Sequence, residues 1–142
     1  MDYENYTRRF FRDPPPEPRF EYLGLHGMTL YFSEFEAAVE FYGNVLGPPL
    51  YVEGDNTRGW RIGNTWLTLL KGKTGSPQNV EFTIVVSTPA EAERLQAAFI
   101  EAGGSGEAPT DQLMYEPVHY CPVKDPFGTQ ILIISSLTEK GK

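Results

Sequence analysis

The chain has 142 residues, 40% of them hydrophobic and 13% aromatic, which fits one domain with a packed core and excludes a disordered polymer. Twelve Lys and Arg face 19 Asp and Glu, a net charge of -7, so there is no basic face to meet the phosphates of a nucleic acid. No apolar run reaches the roughly 20 residues that cross a bilayer, which excludes a membrane helix.

Met1-Asp2-Tyr3-Glu4 lacks the basic start and apolar stretch of a secretory signal, so the expected location is the cytoplasm. Cys121 is the one cysteine, which rules out an internal disulfide framework. Between Tyr120 and Pro122 it reads as a small buried residue.

Residues 1–22 read as an arm. It holds Arg8, Arg9, Arg12 and Arg19 together with several acids, and Pro14-Pro15-Pro16 withholds three backbone donors. Such a segment is expected to be extended, and to pack neither as a helix nor as a central strand. Tyr3, Tyr6, Phe10, Phe11 and Phe20 give it points of adhesion to the body or to a partner subunit; a frayed tail is the alternative.

Residues 23–142 read as one domain of two modules, about 23–74 and 75–136, with a short tail at 137–142. Met28, Leu30 and Phe32 alternate with Thr29, Tyr31 and Ser33, a strand pattern. Glu34 to Leu46 has the spacing of an amphipathic helix, stopped by Gly47-Pro48-Pro49. Strands are predicted at Leu50 to Glu53, Gly59 to Ile62 and Thr65 to Leu70, with Gly63-Asn64 as a tight hairpin turn.

The order then repeats. Val80 to Val86 is rich in β-formers, and Pro89 to Ala102 is a helix capped by Thr88 and ended by Gly103-Gly104. A looser segment reaches Tyr115. Val118 to Val123 and Thr129 to Ile134 are strands joined by Asp125-Pro126-Phe127-Gly128, a turn that Asp125 is expected to cap. Strand, helix and strands thus occur twice, the pattern of a duplicated unit with a boundary near Gly72 to Pro77.

Three motifs in this order resemble the vicinal-oxygen-chelate, or glyoxalase/bleomycin-resistance/dioxygenase, superfamily. They are Phe41-Tyr42 before Val45-Leu46-Gly47, Ala102-Gly103-Gly104 after the second helix, and Asp125-Pro126-Phe127-Gly128 before the last strand. The resemblance covers about residues 24–136. It implies an α+β fold of two tandem βαβββ modules, whose curved mixed sheets enclose a cleft with the helices outside. It also implies a homodimer.

Metal-dependent members of that superfamily carry His, Glu or Gln at four points, two per module. By register these points fall at Gly27, Thr68, Glu81 and Leu132. Only Glu81 can ligate a divalent ion well, and one carboxylate does not make a site. His26 is one residue out of phase, which turns a strand side chain to the other face, so it reads as structural. The expectation is a degenerate metal site with no cofactor.

Strand parity sends Gly27, Thr29, Tyr31, Trp66, Thr68, Leu70, Glu81, Thr83, Val85, Gln130, Leu132 and Ile134 to the cleft. The ligand-binding candidates are Tyr31, Trp66, Thr68, Glu81, Thr83, Gln130 and His119. Glu81 is the catalytic candidate, as a carboxylate that binds or moves a proton; a solvated strand-edge charge is the plain alternative. Trp66 is expected at the cleft and Trp60 in the core. His119 is either a general acid–base group or a structural histidine, and its face is open.

The function these residues favour is metal-independent binding of a small aromatic or cationic organic ligand, similar to the bleomycin-resistance-type members. The alternative is a lyase, isomerase or dioxygenase using Glu81 as base or metal ligand. A purely structural role, with the cleft packed shut, is the third reading.

Overall fold

A computed structural model describes residues 2–19, 21–73, 77–78 and 80–138. Phe20, part of the expected module boundary (74–76) and most of the tail (139–142) lie outside the described residues. The first module contains β1 (Gly27–Phe32), α2 (Phe35–Leu46), β2 (Tyr51–Glu53), β3 (Thr57–Ile62) and β4 (Thr65–Lys71), preceded by α1 (Tyr3–Phe10). The second contains β5 (Glu81–Val86), α3 (Pro89–Glu101), β6 (Ser105–Gly106), β7 (Thr110–Leu113), β8 (Pro117–Lys124) and β9 (Gln130–Ser136).

Each module forms its own mixed sheet. The first runs β1-β4-β3-β2, with β1 and β4 parallel and the rest antiparallel. In the second, β5 pairs β9 in parallel, β9 pairs β8 antiparallel, and β6 and β7 both pair β8. These two short strands are one edge strand in two pieces. The break at 107–109 includes Pro109, which has no N–H to donate to a ladder.

Local chemistry accounts for the boundaries. The Thr88 hydroxyl accepts from Glu91 N at 3.1 Å and Pro89 occupies the first turn, so α3 starts where expected. Gly47 ends α2 at φ 91°, a conformation costly to residues with a Cβ. Gly63, at φ 58°, lets Ile62 pair with Thr65 across a two-residue turn.

The helices cover one side of the sheets. Phe35, Ala38, Phe41 and Tyr42 of α2, and Ala92 and Phe99 of α3, are buried against Leu30, Phe32, Phe82, Ile84, Ile131 and Ile133. Phe41 packs 6.0 Å from Phe99 between ring centroids, so a single core spans both modules. Each such aromatic or aliphatic side chain contributes about 1.5–3 kcal/mol by leaving water. Trp60 and Cys121 are in this core, as their sequence context suggests.

The arm departs from expectation. Residues 3–10 do form a helix, capped by the Asp2 carboxylate on Asn5 N at 3.0 Å. The prolines begin only after it, so they do not oppose it. No α1 side chain is buried, and its described ties to the body converge on Tyr115. Tyr3 Oη donates to the Tyr115 carbonyl at 2.8 Å, and Phe11 meets the Tyr115 ring edge-on. Among the described residues no helix is long and apolar enough to cross a membrane.

Candidate functional site

Ladder register decides which side chains share the face away from the helices. In the first sheet Gly27 pairs with Trp66 and Thr29 with Thr68, while Gly59 lies opposite Thr68 and Tyr51 opposite Gly59. Side chains paired across a ladder stand on the same face, so these form one surface. In the second sheet Glu81 pairs with Gln130 and Thr83 with Leu132.

Three adjoining hollows lie along these surfaces. One of about 230 Å³ opens at the seam between the sheets, where Gly27, Met28, Trp66, Glu81, Thr83 and Ile84 contribute walls. A second, of about 320 Å³, is lined by His26, Tyr51, Gly59, Trp66 and Thr68. A third, of about 430 Å³, is lined by Glu81, Glu107, Tyr120, Pro122, Lys124 and Gln130, among others. Trp66 belongs to the first two and Glu81 to the first and third, so the hollows form a chain.

Of the sequence candidates, Trp66, Glu81 and Thr83 come together at the seam, Thr68 joins Trp66 in the second hollow, and Gln130 joins Glu81 in the third. Tyr31 is exposed and lines none of the three. Leu132, expected to face the cleft, is 2% exposed.

His119 stands apart from the hollows. It pairs with Ser135, on the helix-facing side of the sheet. There its Nε2 lies 2.6 Å from Glu93 of α3 and its Nδ1 2.7 Å from Asp111 of β7. The Asp111 hydrogen bond, joined by Glu93 and opposed by burial, holds the imidazole above its ordinary pKa. Both ring nitrogens are engaged, so His119 serves as a structural clasp between β7, β8 and α3. Cys121 is fully buried and its thiol is pushed up by burial, which suits packing and not nucleophilic chemistry.

In the second hollow, sequence reasoning missed two side chains. His26 was expected to turn away, yet it lines the hollow with Trp66 and Thr68. It precedes the first residue of β1, so strand alternation does not govern it. Tyr51 is the other; its ring meets Trp66 edge-on at 6.5 Å and its hydroxyl donates to Glu53 at 2.6 Å. The alternation Tyr51, Glu53 beside Val52 was the available signal.

The sequence matches the family model of the Glyoxalase/Bleomycin resistance protein/Dioxygenase superfamily over residues 24–133. The chain belongs to this superfamily. Comparison with curated protein sequences finds no match. Among solved structures, a virulence protein from Salmonella typhimurium is 20% identical, with a TM-score of 0.65 over 83% of this chain and 100% of that one. The fosfomycin resistance protein FosX from Mesorhizobium loti is 14% identical, with a TM-score of 0.63 over 84% of this chain and 97% of its own. A lactoylglutathione lyase from Agrobacterium tumefaciens is 16% identical, with a TM-score of 0.62 over 80% and 94% of the two chains. At these identities the likeness is one of fold.

Superfamily membership raises the question of a metal, and the four register positions do not fit one. At Gly27 a Cβ would lie 2.0 Å from the Trp66 carbonyl oxygen and 2.7 Å from its nitrogen. The backbones of β1 and β4 approach too closely there for any side chain, ligand or not. Thr68 offers a neutral hydroxyl and Leu132 a buried hydrocarbon. Glu81 alone is a good ligand, and a divalent ion needs three or more donors. Among the described residues no three of His, Cys, Asp and Glu converge on a common point suited to an ion.

Proposed function

We propose that this chain binds a small aromatic or cationic organic ligand at the seam of its two sheets, without a resident metal ion. Trp66 supplies a flat apolar wall, Glu81 a single negative charge, and Thr68, Thr83 and Gln130 the hydroxyls and amide that orient polar groups. The observation that carries the reading is the pairing of Trp66 with Glu81 in one hollow whose remaining walls are largely apolar. A carboxylate beside an indole and hydrocarbon attracts a cation that also carries a flat face.

Gly27 supports the metal-independent part of this reading, because its backbone contact with Trp66 removes one ligand position sterically. Neighbours of the same fold carry small-molecule names, a fosfomycin resistance protein and a lactoylglutathione lyase among them. A homodimer belongs to the same reading. Leu23, Leu25, Leu50 and Val52 are all more than half exposed, apolar surface that a second copy would cover. Sedimentation showing only single chains would count against that part.

Calorimetry on chelator-treated protein tests the binding itself, with flat aromatic amines such as tryptamine as probes. Saturable binding of one probe per chain is expected, weakened about tenfold in Glu81→Gln and in Trp66→Ala. Heats that never saturate across the panel would remove the proposal.

A further inference from the structure

The hollow on the first sheet has no carboxylate in its lining. Its walls, Tyr51 and Trp66, stand either side of Gly59, which is buried. A Cβ at Gly59 would lie 3.3 Å from Tyr51 Cβ and 3.4 Å from Trp66 Cε3, so glycine keeps the floor between the two aromatic side chains low. Thr68 adds a hydroxyl and His26 an exposed imidazole that has no hydrogen-bond partner among the described residues.

Arg61 completes the set. Its guanidinium lies over the Trp66 ring, 5.0 Å from the centroid, and its Nε donates to the Gly63 carbonyl at 3.2 Å. Among the described residues no carboxylate pairs with it. The nearest acid in the ladder, Glu53, accepts the Tyr51 hydroxyl instead. An exposed guanidinium with donors to spare is the usual partner of a carboxylate.

We propose that these groups form the anion-binding half of a composite site, and that the ligand is a flat aromatic zwitterion. Trp66 lines both hollows, with His26 and Thr68 beside it in one and Glu81 beside it in the other, while the Arg61 guanidinium lies over its ring. A purely cationic ligand would leave the Arg61 donors unused and meet a like charge across the indole. A zwitterion satisfies both ends. This rests on the Glu81 reading above and adds the second charge.

Three indole probes separate the possibilities: tryptamine with only an amine, indole-3-acetate with only a carboxylate, and tryptophan with both. Calorimetry is expected to find tryptophan bound roughly tenfold more tightly than either singly charged probe. Arg61→Gln should weaken tryptophan and indole-3-acetate by about that factor and leave tryptamine unchanged or tighter. Glu81→Gln should weaken tryptophan and tryptamine while sparing indole-3-acetate.

Arg61 and Glu81 are both exposed, so neither change threatens folding. If tryptamine binds as tightly as tryptophan and Arg61→Gln alters neither, the zwitterion inference falls while the Glu81 reading stands. Binding of no probe at all would overturn both.

Discussion

Tyr42 of the first helical layer donates its hydroxyl to Asp125 Oδ2 at 2.8 Å, joining positions 83 residues apart in the interior. The other oxygen, Oδ1, accepts from Phe127 N at 2.9 Å and Thr129 N at 2.8 Å, closing the turn before β9. The Asp-Pro-Phe-Gly motif is therefore more than a local turn. Its aspartate ties the second module's last hairpin to the first module's helix. Burial, and then the Asp125 charge, raises the Tyr42 pKa above its ordinary range, so the phenol stays a hydrogen-bond donor.

Removing that hydroxyl leaves Asp125 buried with one partner fewer. Tyr42→Phe should cost about 1–3 kcal/mol in urea unfolding, with an unchanged slope. Asp125→Ala should cost more, because two backbone N–H groups and the phenol all lose their acceptor. Equal stabilities for wild type and Tyr42→Phe would show that the bond contributes nothing.

Two glycines should respond in opposite directions. Gly27→Ala forces a Cβ onto the Trp66 backbone and should cost about 1–3 kcal/mol, with Gly27→His worse still. Gly43 is inside α2, where a Cβ meets nothing within 4 Å, so Gly43→Ala should gain about 0.5–1 kcal/mol. Thermal melts of the pair check the account of β1–β4 packing. A Gly27→His protein as stable as wild type would contradict it.

The His119 clasp gives a pH dependence of definite sign. Its folded pKa is raised above the unfolded value near 6.5, chiefly by Asp111, so its stabilisation is complete below about pH 6.5 and fades as pH rises through the folded value. Wild type should therefore lose stability relative to His119→Gln as pH is raised above this point. Parallel curves for the two proteins would show that the clasp adds nothing.

Helix α1 should open far more readily than the sheets. Eight residues with no buried side chain and described ties only to Tyr115 give little protection. In hydrogen exchange its amides should be among the first to exchange and those of β9 among the last. Comparable protection in the two would mean the arm is held more firmly than its contacts indicate.

Much of the architecture was legible because the signals were local and repeated. Alternation at Met28, Leu30 and Phe32, and again at Phe82 and Ile84, fixed the helix-facing sides; the capped start at Thr88-Pro89 and the turns at Gly63 and Asp125 fixed boundaries. The arm helix was hidden by the prolines that follow it, although Asp2 before Tyr3, Tyr6 and Phe10 carried a cap and a helical spacing.

His119 was ambiguous for another reason. Pro117, Val118, Cys121 and Val123 are all buried, so β8 has apolar residues on both faces and no clean period of two. His26 was read as structural and Arg61 was not singled out, because Trp66 is distant from His26 in sequence and adjacent to it only once β1 and β4 pair. Glu81 and Trp66 were singled out by parity, and they line one hollow in the structure.

The seam hollow offers an organic ligand one carboxylate, Glu81, and offers a metal ion too few donors. Titration of chelator-stripped protein with zinc, manganese and magnesium, followed by dialysis and elemental analysis, tests it most directly. No saturable site and less than one retained ion per chain are expected. One tightly held ion per chain, lost in Glu81→Ala, would contradict it.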